Sequence, residues 1–166
     1  MIGIGVGIPH QKGIQRLKYL LDEDFAQGAT AAYALRLLRE KHSGGIIRCR
    51  ADDQGTSKGE ADVLPILQPD GSKIITLNSP IENFSGTPFS GDGYVLADLV
   101  DAGNNNYDGL TSSWYDQSGN LNDASNSSAS EQPQIVSSGS VIMENGKPAI
   151  KRTNTDAGAL ISNHDA

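Results

Sequence analysis

Hydrophobic positions along the chain follow two periods, and each predicts a different kind of element. The first nine residues alternate strictly, with Ile2, Ile4, Val6 and Ile8 against Gly3, Gly5 and Gly7. A strand of this pattern has one β-branched face and one face of bare backbone, and glycine's entropy makes it a weak strand alone. Pro9 interrupts it. Residues 1–13 are therefore expected to form an extended N-terminal arm that orders by adding to a neighbour's sheet edge; the alternative is a strand within its own domain. Spacing then changes to three and four. Ile14, Leu17, Leu20 and Leu21 make one amphipathic stripe ahead of Asp22-Glu23-Asp24, which predicts a first helix. Ala29 to Lys41 is rich in strong helix formers, with Ala31, Leu35 and Leu38 on one face and Arg36, Arg39, Glu40 and Lys41 elsewhere. This predicts a second helix, ended by Ser43-Gly44-Gly45.

Beyond residue 45 the period falls to two. Ile46 to Ala51 alternates Ile47, Cys49 and Ala51 with Arg48 and Arg50, a strand that buries Cys49 as a small hydrophobe. Residues 52–60 are polar and predict a loop. Val63 to Leu67 and Lys73 to Leu77 flank Gln68-Pro69-Asp70-Gly71-Ser72, a hairpin turn in which proline pre-sets one dihedral and glycine accepts a positive one. Asn78 to Gly93, broken by Pro80 and Pro88, predicts loop; Tyr94 to Val100 predicts a short helix, and Leu110 to Tyr115 a strand. Ile135-Val136 and Val141 to Met143 are expected to pair across Ser137–Ser140, and Glu144-Asn145-Gly146-Lys147 to turn tightly. The fold class expected is α+β: two N-terminal helices packed on a small, mostly antiparallel β-sheet. One domain is expected over 14–151, with an insertion at 52–93 and a C-terminal tail at 152–166.

Composition narrows the partners. With aromatics at only 5%, the core must come from Leu, Ile, Val and Ala. No apolar run approaches the ~18 residues of a membrane span. The net charge of −7 argues against nucleic acid, whose phosphates call for clustered Lys and Arg. Cys49 is the single cysteine, which excludes an internal disulfide and a thiolate cage for zinc. The N-terminus lacks the basic start of a secretory signal, so folding in a reducing cytoplasm is expected. Charge is unevenly placed: residues 10–50 hold eight Lys/Arg against four Asp/Glu, and residues 51–131 hold two against thirteen. Such polarity suits head-to-tail docking of copies, or a basic partner.

Few constellations carry chemistry. Asn104-x-Asn106-x-Asp108-Gly109 copies the start of a calcium loop but has Tyr115 where the twelfth-position Glu belongs, so an Asn-rich turn is expected there. His10, His42 and His164 share no spacing, and neither a metal site nor a cofactor site is expected. The densest segment is Ser113 to Ala124, which holds the only Trp. Trp114 and Tyr115 have the character to stack on a sugar while Asp116, Gln117 and Asn120 read its hydroxyls. An aromatic anchoring the core and Asp116 and Asn120 capping a turn account for every residue, and this reading is preferred.

That segment also carries a resemblance. AAYALRLLR at 31–39, IIRCR at 46–50, WYDQSGNLNDA at 114–124, QPQIV at 132–136 and ENGKPAI at 144–150 resemble, in order, the N-terminal part of the arabinofuranosidase B catalytic-domain family, typically AYSLRRL, AIRVRR, WYDQSGNGNDA, QPKIV and NGKPAI. The block spans roughly residues 29–151 and is similar to one found in phage virion structural proteins, often ahead of fibre-like regions. The family's catalytic carboxylates lie beyond the NGKPAI stretch, so no residue here matches them and no catalytic residue is expected. The resemblance implies a non-enzymatic virion component, assembled in the host cytoplasm, whose partners are other virion proteins and copies of itself, with the arm Ile2, Ile4, Val6 and Ile8 as an assembly element. A tail, baseplate or fibre-attachment position is expected first and a head-surface position second. A host-glycan binding module and a remnant glycosidase are the rival expectations.

Overall fold

A computed structural model describes residues 19–22, 28–152 and 161–162. The arm positions Ile2, Ile4, Val6 and Ile8, most of the first expected helix, His10 and His164 lie outside the described residues.

The fold is built on an antiparallel sheet, and the expectation of two helices on a small sheet is overturned. Among the described residues strand accounts for 36% and helix for 8%, the latter being one short helix and two 3-10 turns. Strands β1 (Ile47–Asp53), β2 (Thr56–Val63), β5 (Ile81–Ser85), β6 (Asp108–Trp114), β7 (Ala124–Ser125), β8 (Gln134–Ser137), β9 (Ser140–Val141) and β12 (Ile161–Ser162) make one eight-stranded sheet. Its order is β12-β7-β6-β1-β2-β5, with β8 pairing β6 beside β7 and β9 pairing β8. Two small hairpins complete the strands: β3 (Ile66–Leu67) with β4 (Lys73–Ile74), and β10 (Met143–Glu144) with β11 (Lys147–Pro148).

Several elements match their sequence signals. The turn at 68–72 joins β3 to β4, Leu96–Leu99 forms the short helix α1, and the Asp98 carboxylate accepts the Val95 N–H at 2.8 Å to close its first turn. The Asn145-Gly146 turn has both residues at positive φ, 50° and 74°, the geometry that a two-residue hairpin prefers. Other signals mislead. Residues 52–60 are a strand–turn–strand rather than a loop, turning at Gln54-Gly55 with φ of 49° and 89°. Residues 81–85 are strand β5, hidden in sequence by Pro80 and by Asn83, which sits mid-strand at φ 52°. The segment 52–93 thus supplies β2 to β5 and contributes Ala61, Val63, Ile75 and Ile81 to the core.

The larger correction is at residues 29–41, which form no helix: the chain runs irregularly past a single bridge at Arg36 and turns at 40–41. Leu35 and Leu37 are buried and Arg36 between them is exposed, a period of two. Ile75 N–H donates to Leu35 O at 3.0 Å and Leu37 N–H to Lys73 O at 2.8 Å, so this segment lies antiparallel beside β4. Of the first expected helix, only the 3-10 turn Leu20–Asp22 is described; Leu21 N–H donates to Leu38 O at 2.8 Å and ties it to the same segment.

The core sits on one face of the sheet. Ile47, Cys49, Ala51, Ala61 and Val63 from β1 and β2 meet Leu96 and Val100 from the α1 region and Ile135 and Val136 from β8. Gly109 on β6 lets this layer close: a Cβ there would lie 3.0 Å from Cys49 Sγ and 2.9 Å from Val136 Cβ. The opposite side of β1 is covered as well. Arg50 is only 5% exposed; its Nε donates to Gln132 Oε1 at 2.8 Å and its Nη1 pairs with Asp52 at 2.5 Å.

Candidate functional site

The Trp114–Asp123 turn begins where β6 leaves the sheet. Tyr115 N–H donates to Ile46 O at 3.0 Å, the last rung beside β1, and the chain then folds back over residues 29–38. What holds that extended segment is mostly side chain. Gln117 Oε1 accepts the Leu38 N–H at 2.7 Å, and its Nε2 donates to Ala34 O at 3.2 Å and Arg36 O at 3.0 Å. Its own N–H donates to Ala32 O at 2.8 Å. Asn120 Nδ2 donates to Ala29 O and Thr30 O, Asn122 Nδ2 to Thr30 O at 2.7 Å, and Ser118 Oγ to Thr30 O. A primary amide presents the donor and acceptor of a peptide group, so Gln117, with a second amide at Asn120, acts as a missing neighbouring strand.

Asp116 organises the turn itself. Its Oδ1 accepts from Ala32 N–H and Ser118 N–H, both at 2.8 Å, and its Oδ2 accepts from Ser118 Oγ at 2.6 Å and Asn122 N–H at 3.2 Å. Burial alone would raise its pKa, but the Ser118 side chain and the backbone donors of Ser118, Ala32 and Asn122 outweigh it and hold the carboxyl below its ordinary value. Asp123 Oδ1 accepts the Asp116 N–H at 2.8 Å.

The two aromatics of the motif part company. Trp114 is half-buried against Tyr33, ring centroids 5.8 Å apart, with its indole N–H buried and unpartnered among the described residues. Tyr115 donates its hydroxyl to Asp62 Oδ1 at 2.5 Å, and burial together with that bond pushes its pKa up. Asp62 also accepts from Arg48 Nη1 at 2.8 Å and Asn83 Nδ2 at 2.7 Å, which ties β1, β2 and β5 to the turn. Of the residues singled out for glycan contact, Asp116 and Gln117 are thus buried and bonded to the chain's own backbone. Asn120 is exposed, but its amide is engaged with residues 29 and 30.

A cleft of about 500 Å³ opens beside the turn, lined by Arg39, residues 41–45, Asp62, Glu82, Asn83 and part of the turn between Tyr115 and Asp123. Sequence reasoning missed its outer members Arg39, Lys41 and Glu82; the carboxylate is more than 40 residues from the two cations and shares no motif with them. Elsewhere the Asn-rich loop behaves as a turn: Asp101 accepts from Asn104 and Asn105, and Asp108 from Ser138 N–H. Among the described residues no group of three His, Cys, Asp or Glu side chains is placed to hold a metal ion, and no helix is long and apolar enough to cross a membrane. Burial pushes the Cys49 thiol up to about 12, so it is inert as a nucleophile in the folded chain. No family model matches the chain, and no curated protein and no solved structure matches it either.

Proposed function

We propose that this is a bacteriophage virion structural protein, a tail, baseplate or fibre-attachment component that acts through assembly with other virion proteins and copies of itself, without catalysis. The observation that carries the reading is the inward commitment of the Trp114–Asp123 motif. The residues that bear the family resemblance bind the protein's own backbone, so what the motif supplies is a scaffold rather than a reacting group. The uneven charge adds support: Arg48 and Arg50 are neutralised inside the fold by Asp52, Glu60 and Asp62, and the acidic excess of the span 51–131 that remains suits docking onto basic segments of other copies or partners. The glycine-alternating arm offers backbone for strand addition.

Light scattering on the full chain and on one lacking residues 1–9 tests this. A discrete trimer or hexamer that falls to monomer on truncation is the expected result. A monomer at every concentration, absent from purified particles of the host's phage, would overturn it. So would turnover of a chromogenic arabinofuranoside that disappears in Asp116→Ala.

A further inference from the structure

The cleft beside the turn contains two kinds of polar group. One kind is fully engaged: Asp62 and Asp116 have both carboxylate oxygens occupied by internal donors. The other kind is not. The side chains of Arg39, Lys41 and Glu82 make no hydrogen bond or ion pair with any described residue, although Arg39 and Glu82 are half-buried. Asp123 offers its second oxygen.

The free groups are positioned rather than loose. The Arg39 guanidinium lies against the turn at Gly119, where a Cβ would come within 2.7 Å of Nη1. Glu82 Oε1 sits 3.7 Å from the Cβ position of Gly44 across the cleft floor. At the rim stands Leu121, 84% exposed and at φ 59°. A branched apolar side chain held in the left-handed region and largely in water carries two costs, which marks it as a contact residue.

We propose that this cleft binds an acidic monosaccharide. The sugar carboxylate sits on Arg39 and Lys41, its hydroxyls donate to Glu82 and Asp123, and its C–H face packs on Leu121. A simple anion uses only the cationic wall and a neutral sugar only the carboxylates, whereas a uronic acid uses both. The volume lies within the ~300–1,000 Å³ usual for small-ligand sites. The proposal is independent of the assembly reading, since the site is complete in one chain.

Calorimetric titration of the full chain at low salt, with glucuronate, glucose, glycine and inorganic phosphate, tests it. Glucuronate is expected to bind at least about tenfold more tightly than each of the other three, and Arg39→Ala and Glu82→Gln each to weaken it by about tenfold or more, as loss of a charged hydrogen bond does. Both variants remove groups with no internal partner and should keep the wild-type unfolding midpoint; Lys41→Ala is the reserve should either fail to fold. No heat with glucuronate, binding of phosphate or glycine as tight as glucuronate, or unchanged affinity in the variants would each overturn the proposal.

Discussion

Gln117 is 1% exposed, and each of its amide atoms meets the backbone of residues 34–38. Truncation to alanine would leave the buried Leu38 N–H and two part-buried carbonyls without partners, and a buried group left so costs ~1–3 kcal/mol. Gln117→Ala is expected to destabilise the protein by roughly 2–4 kcal/mol in urea unfolding; a loss under about 0.5 kcal/mol would mean that water replaces the amide without cost. Asp116 adds a pH dependence of definite sign. Its carboxyl titrates lower when folded than the ordinary aspartate value of about 3.9. The stability it contributes is therefore present above that value and is lost as pH falls through the lower, folded one. Asp116→Asn should be less stable than wild type at pH 7 by about 1–3 kcal/mol, and the difference should shrink below pH ~4. A difference that stays constant on acidification would remove the charge from the explanation.

At the scale of elements, residues 29–38 behave as a strand whose neighbour on one side is β4 and on the other is a row of side chains. Backbone N–H groups at Ala32, Leu37 and Leu38 are all bonded, though the segment has no regular ladder. Hydrogen exchange should find these amides protected in the native protein. In Gln117→Ala, Leu38 should exchange much faster while β1 and β6 stay protected, because the amide supports this one element. Equal acceleration throughout the sheet would instead make the turn part of a single cooperative unit. Helix was the natural expectation here, since Ala, Leu, Arg, Glu and Lys favour it. The competing signal was local and small: Leu35 and Leu37 inside with Arg36 outside. Propensity differences of a few tenths of a kcal/mol per residue are outweighed by buried hydrogen bonds worth about 1 kcal/mol or more apiece.

For the whole molecule, the acidic span includes much of the sheet and its loops, while Arg36, Arg39 and Lys41 lie on the segment clamped by the turn. Association driven by charge weakens as salt shortens the ~10 Å screening length of 0.1 M. The oligomer proposed above should accordingly dissociate between low and high salt. Salt-insensitive association would assign the contact to apolar strand addition instead.

Sequence alone determined what depends on near neighbours: the turns at 68–72 and 145–146, the short helix after Tyr94, the strands at Ile47 and Leu110, and the burial of Cys49. Each rests on residues within a few positions of one another, where turn chemistry and alternation act directly. Tertiary structure decided the rest. Whether residues 29–41 coil or extend depends on Asp116, Gln117, Asn120 and Asn122, some 80 to 90 residues on. The polar turn was legible as a turn, but the backbone it grips was not. The cleft likewise joins Arg39, just beyond the segment that the turn clamps, to Glu82 on β5 only in the folded chain, and no local pattern encodes that meeting.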